Sequence, residues 1–107
     1  MKHSKLFIFA IMTTLAVSGC KHQAATYPTD TLTTKNGSQL TITFFKHASL
    51  AIETEGRHIY IDPISQYADY ASLPKADLIL ITHSHYDHLD SAAVAALSTA
   101  ATTVVCD

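Results

Sequence analysis

The stretch Leu78-Ile79-Leu80-Ile81-Thr82-His83-Ser84-His85-Tyr86-Asp87-His88-Leu89-Asp90-Ser91 decides how this chain is read. Its first four residues are a continuous apolar run, which suits a central strand covered on both faces. Residues 82–90 then hold three histidines and two aspartates in nine positions. Ser91–Ser98 is Ala-rich, with Asp90 or Ser91 placed to cap a helix. A strand, a His/Asp loop and a helix in that order set the titratable groups at the carboxyl end of a strand, where ligand sites of α/β folds gather.

Imidazole and carboxylate are the usual ligands of zinc and similar divalent metals. His83 and His85 are two residues apart, so in an extended segment both side chains project to the same side. If the chain then turns, Asp87 and His88 reach a second point close by, and one short loop supplies parts of two metal sites. Three imidazoles this close crowd one another, and a metal relieves the crowding. The spacing is neither the His-Glu-x-x-His of helical zinc proteases nor that of a Cys/His finger.

On the N-terminal side of this stretch the chain alternates. Leu40, Ile42 and Phe44 alternate with Thr41 and Thr43, a half-buried strand. Ser49–Thr54 and Arg57–Asp62 read as a hairpin across Glu55-Gly56, with Ile59 and Ile61 on one face and His58 exposed opposite them. Residues 64–77 are an irregular connection anchored by Tyr67 and Tyr70. On the C-terminal side Thr102–Val105 is again strand-like. Strand 78–81, helix and strand 102–105 form a βαβ unit with parallel strands. The fold class is α/β (α+β): antiparallel strands followed by a βαβ unit.

The N-terminus carries an address. Lys2, His3 and Lys5 form a basic start, and Leu6–Val17 is a mostly apolar run of 12 residues. That is shorter than the roughly 18–20 residues needed to span a bilayer and fits a secretory signal over Met1–Gly19. Val17-Ser18-Gly19-Cys20 resembles the bacterial lipobox. The resemblance implies cleavage before Cys20, lipidation of its thiol, and anchoring to a membrane surface without spanning it. Lys21 rather than Asp after the Cys favours, by the same resemblance, the outer membrane, facing the periplasm. Lys21–Ser38, with a break at Tyr27-Pro28 and a turn at Asn36-Gly37, reads as a flexible tether in which His22 is solvated. Three segments follow: signal 1–19, lipidated Cys and tether 20–38, and domain 39–107.

The chain has 107 residues, 48% apolar and 15% charged, too apolar for a disordered tail. The first 19 residues hold two lysines and no acid, so removing them takes the net charge from −2 to −4. Nucleic-acid binding, which needs a basic face, is not expected. With Cys20 acylated, Cys106 stands alone and no internal disulfide forms. A domain confined to Gln39–Asp107 is small enough to need a metal, a partner or an oligomer to support it.

His83-Ser84-His85-Tyr86-Asp87-His88 resembles the signature of the metallo-β-lactamase-fold hydrolases. His47-Ala48-Ser49-Leu50-Ala51-Ile52-Glu53 and Ile59-Tyr60-Ile61-Asp62-Pro63 are similar to the branch of L-ascorbate-6-phosphate lactonase-like and related Zn-dependent hydrolases. The resemblance covers roughly Leu40–Asp107 and implies the first half of an αβ/βα sandwich. It implies that His83 and His85 ligate one metal ion, that Asp87 and His88 ligate a second, and that Asp87, the catalytic residue, also orients the attacking water. Asp62 would support the ligand loop from behind. The implied cofactor is Zn2+, one or two divalent ions, and the implied reaction is metal-assisted hydrolysis of an ester, lactone or phosphodiester-type bond of a small molecule. His47 has two readings, a residue that approaches the site or the substrate and a plain strand-end residue, with the second favoured; Tyr86 is read as a packing residue of the loop.

The family's remaining ligands, a further His, a bridging Asp and a last His, come from later positions, and no His follows His88 here. The chain therefore reads as the N-terminal part of a membrane-anchored metallohydrolase. Two alternatives stand beside that: a short metal-binding lipoprotein without catalysis, and a half-domain whose uncovered sheet face drives self-association into a homodimer.

Overall fold

A computed structural model describes residues 25–107. The signal, Cys20 and His22 lie outside the described residues. Six strands form one mixed sheet in sequence order. They are β1 (Thr29–Thr33), β2 (Gln39–Lys46), β3 (Ser49–Thr54), β4 (Arg57–Ile61), β5 (Leu78–Ile81) and β6 (Thr103–Cys106). Pairing is antiparallel from β1 to β4 and parallel from β4 to β6. One helix, α1 (Ser91–Leu97), joins β5 to β6, and a single 3-10 turn at Tyr70–Ser72 interrupts the connection from β4 to β5. The expected mixed α+β order, antiparallel strands then a βαβ unit, is what the chain adopts.

Two expectations need correcting. The tether expected over Lys21–Ser38 holds β1, which pairs with β2 from Thr29↔Thr43 to Thr33↔Gln39. Its β-branched threonines suit a strand, and the Asn36-Gly37 turn returns the chain to β2, with Gly37 at φ +85° donating its N–H to the Thr34 carbonyl at 2.9 Å. Nor is β5 covered on both faces. Ile79 and Ile81 are buried, whereas Leu78 and Leu80 are only half-buried. Among the described residues, α1 and the connection after β4 pack on one side of the sheet alone.

That covered side is the core. Tyr60, Ile79 and Ile81 of the sheet meet Ala93 and Leu97 of α1 and Ala68, Tyr70 and Ala76 of the connection. On β4 the buried residue is therefore Tyr60, while Ile59 and Ile61 face the other way and His58, expected to be exposed, is half-buried. A bulge between Phe44 and Lys46 accompanies the entry of Phe45 into this side. Its ring stacks edge-on against Tyr70 at 5.3 Å, and Tyr70 meets Tyr60 at 6.0 Å. Burial pushes the Tyr60 hydroxyl up to about 12, so it remains a donor to the Pro74 carbonyl at 2.8 Å.

Tight turns with positive φ stand at both ends of β3, and the one between β2 and β3 lies at the end where the site forms. Glu55 and Gly56 take φ +49° and +73°, the left-handed pair that a two-residue hairpin matching strand twist requires. The β2–β3 turn contains His47 at φ +57°, and Asp62, directly after β4, takes φ +45°. Both are non-glycine residues in a costly region, and both lie beside the loop that follows β5.

Candidate metal centre

The loop after β5 is built on a buried carboxylate. Asp62 is fully buried at the end of β4. Its N–H donates to the Leu80 carbonyl at 3.0 Å, continuing the β4–β5 ladder by one residue. This seats the carboxylate beneath the start of the loop. Oδ1 accepts from the Thr82 N–H at 2.7 Å, and Oδ2 accepts from the Thr82 hydroxyl at 2.7 Å and from His88 Nδ1 at 2.8 Å. Burial alone would raise this carboxyl. The hydrogen bonds from His88 and Thr82 outweigh it and hold the group below its ordinary value, so Asp62 is an anion at neutral pH.

An ionised Asp62 fixes which nitrogens face outward. In a neutral imidazole one nitrogen carries the proton and the other a lone pair. A proton on His88 Nδ1, held by Asp62, leaves the Nε2 lone pair free. Thr82 extends the effect. Its single hydroxyl proton goes to Asp62, so its oxygen accepts from His83 Nδ1 at 3.0 Å and His83 Nε2 is left free in turn. Thr82 is a positioning residue that the reading of the sequence passed over. The available signal was a hydroxyl residue directly before the first histidine.

The donors gather above this base. The His83 and His88 rings lie 4.0 Å apart, and His83 and His85 4.5 Å apart, so the three imidazoles crowd as their spacing implies. His88 and Leu89 both donate their N–H to the His85 carbonyl at 2.9 Å, a turn that brings Asp87 and His88 back over the strand end. Asp87 Oδ2 is 3.6 Å from His88 Nε2. Desolvation opposes ionisation of Asp87, but its own N–H and the neighbouring His88 and His47 together outweigh that and hold its carboxyl below the usual range. Asp90 closes the loop as the cap of α1, accepting from Ala92 N at 2.9 Å and Ala93 N at 3.3 Å, while its other oxygen accepts from Ser65 N at 2.8 Å.

Of the two readings of His47, the structure favours the approach to the site over the plain strand-end residue. His47 Nε2 is 3.3 Å from Asp87 Oδ2, and its ring is 5.1 Å from that of His88. The donor atoms of His47, Asp87 and His88 all lie within 4.8 Å of one another. The signal was its place in a two-residue turn between strands that end beside Asp62. Tyr86 is 91% exposed, so the packing role expected of it does not hold: it sits at the tip of the loop beside the exposed His85 and the half-buried Asp87. The donor set fits a divalent metal by its chemistry. Imidazoles with one nitrogen committed to a fixed partner and the other free, next to an ionised carboxylate, are the pattern that oriented metal ligands show.

Comparison with known proteins agrees in where it falls. A family model described as a beta-lactamase superfamily domain matches residues 41–105. A UPF0173 metal-dependent hydrolase of Flavobacterium johnsoniae is 51% identical over 53 residues, covering 45% of this chain and 24% of that protein. Another, of an Exiguobacterium species, is 32% identical over 69 residues, covering 61% of this chain and 31% of its own length. A crystal structure from Parabacteroides distasonis, provisionally named a metal-dependent hydrolase, superposes with a TM-score of 0.73 at 48% identity over 74% of this chain and 36% of that one. The chain thus spans about a quarter to a third of the length of the relatives it matches.

Proposed function

The chain belongs to the beta-lactamase superfamily, and from that premise we propose that the protein carrying it is a metal-dependent hydrolase whose metal centre is seated on the loop 82–90. The observation that carries this reading is the buried Asp62 carboxylate, which orients His88 directly and His83 through Thr82. Such oriented imidazoles have little purpose in a solvated loop and a clear one around a cation. Zinc is the first candidate, because nitrogen and carboxylate donors in this combination suit it. His83 and His85 would hold one ion, and Asp87 and His88 a second.

A divalent ion bound here supplies Lewis acidity and a more acidic water near neutral pH. The residues do the rest. Asp87, ionised and half-exposed at the mouth of the cluster, accepts a hydrogen bond from the attacking water and orients it. Asp62 and Thr82 keep the imidazoles from turning. The substrate is a small molecule with an ester, lactone or phosphodiester-type bond. The superfamily name does not select β-lactams among them, since one fold hosts many reactions.

The protein is also read as exported and held by a lipid on Cys20, at the outer membrane facing the periplasm. Among the described residues no helix is long and apolar enough to cross a membrane. Native protein extracted from host membranes with detergent tests both halves of the proposal. Its intact mass should include acyl groups on the peptide that begins at Cys20, and Cys20→Ser should abolish lipid labelling. The same preparation should hydrolyse a panel of nitrophenyl esters, lactones and phosphodiesters, with loss of activity on chelation, recovery on adding zinc, and loss in His83→Ala and Asp87→Ala. Activity indifferent to chelators would overturn the metal reading.

A further inference from the structure

We infer that His47, on the β2–β3 turn, is a third protein ligand of the metal ion held by Asp87 and His88, so that this centre joins two separate elements of the sheet. The inference rests on the metal-centre reading above and adds to it a residue from outside the 82–90 loop.

The distances carry it. His47 Nε2 and His88 Nε2 approach the same oxygen, Asp87 Oδ2, at 3.3 and 3.6 Å. Both exceed the usual 2.7–3.2 Å of an N–H···O hydrogen bond. Both are close to the separation of two ligands on one tetrahedral zinc: atoms about 2.0–2.1 Å from the ion at the tetrahedral angle stand about 3.3–3.4 Å apart. All three donor atoms lie within 4.8 Å of one another. An ion pair alone would explain His47 against Asp87. It would not explain why a second imidazole, whose Nδ1 is already satisfied by Asp62, turns its free nitrogen to the same carboxylate oxygen.

The backbone supports the assignment. His47 is held at φ +57°, a conformation in which glycine or asparagine is the easy choice.

The test uses the full chain, zinc titrated against a competing chromophoric chelator, and imidazole NMR. His47→Gly removes the ring and relieves the positive φ. The metal-free variant should therefore melt at the same temperature as the parent or higher, while one zinc equivalent binds roughly ten- to a hundred-fold more weakly. In the parent, zinc should shift the Nε2 resonance of His47 together with that of His88, while His58, on the far part of β4, stays unmoved. Unchanged zinc affinity in His47→Gly, or an unmoved His47 resonance while that of His88 shifts, overturns the role of His47 and leaves the metal centre standing. A parent chain that binds no zinc at all overturns both.

Discussion

Asp62 concentrates more of the site's organisation than any of the expected ligands. It is fully buried, it sits at a positive φ, and it accepts three hydrogen bonds from groups of the ligand loop. Replacing it with alanine leaves the Thr82 N–H, the Thr82 hydroxyl and His88 Nδ1 without their acceptor. The His88 nitrogen is largely buried and its loss of a partner costs about 1–3 kcal/mol, whereas the exposed Thr82 can turn to water, so Asp62→Ala should lose about 1–3 kcal/mol in urea unfolding, and Asp62→Asn, which keeps an acceptor, less. The carboxyl also sets a pH dependence. Its folded pKa lies below the ordinary value of 3.8, so the stability it contributes is fully present above that value and is lost as pH falls through the folded pKa. Melting temperatures followed from neutral pH into acid should fall more steeply for the parent than for Asp62→Asn. Equal slopes would mean the carboxylate is not ionised in the fold.

At the scale of elements, α1 shows how little helix the site needs. It has seven residues, Ser91–Leu97, too short to be stable by itself. What holds it is packing of Ala93 and Leu97 in the core, and Asp90, which caps it with one oxygen and ties Ser65 with the other. Asp90→Ala should therefore cost about 2 kcal/mol, the upper range for a cap, because a second element is released with it, and Asp90→Ser should recover part of that loss. Circular dichroism during urea unfolding reads both. The cap was legible in the sequence, as were the strands, the Glu55-Gly56 hairpin and the His/Asp loop, because each is written in local periodicity or spacing. β1 was not, since five exposed residues carry no alternation to read. For His47 the sequence left two readings, and the choice between them depends on strands β2 to β5 lying side by side, which no local pattern states. The same holds for Thr82, whose partner Asp62 is 20 residues away in the chain.

For the whole molecule, strand register decides which surface is left open. Phe44 pairs with Leu50 and Leu50 with Ile61; Ile42 pairs with Ile52, Ile52 with Ile59, and Ile59 with Leu78. Directly paired residues share a face, so these side chains form one apolar band across the sheet, opposite the face that α1 covers. None of them is buried, and Phe44 is 40% exposed. A band of this width exceeds the scattered apolar residues of an ordinary surface, and β6 adds an edge that is unpaired among the described residues and exposed along its whole length. These 107 residues in isolation should therefore bind a hydrophobic dye and self-associate as concentration rises. Ile52→Thr with Ile59→Thr tests that claim at the centre of the band. Threonine keeps the β-branched shape that suits a strand while removing apolar surface, so the sheet should persist by circular dichroism as dye binding falls and sedimentation shifts toward the monomer. Both residues point away from Tyr60 and the core, and neither touches the His/Asp cluster, so zinc binding should be unchanged. A parent chain that sediments as a monomer at every concentration and leaves the dye dark would mean that the band is covered in solution, and the register argument for an open face would fail.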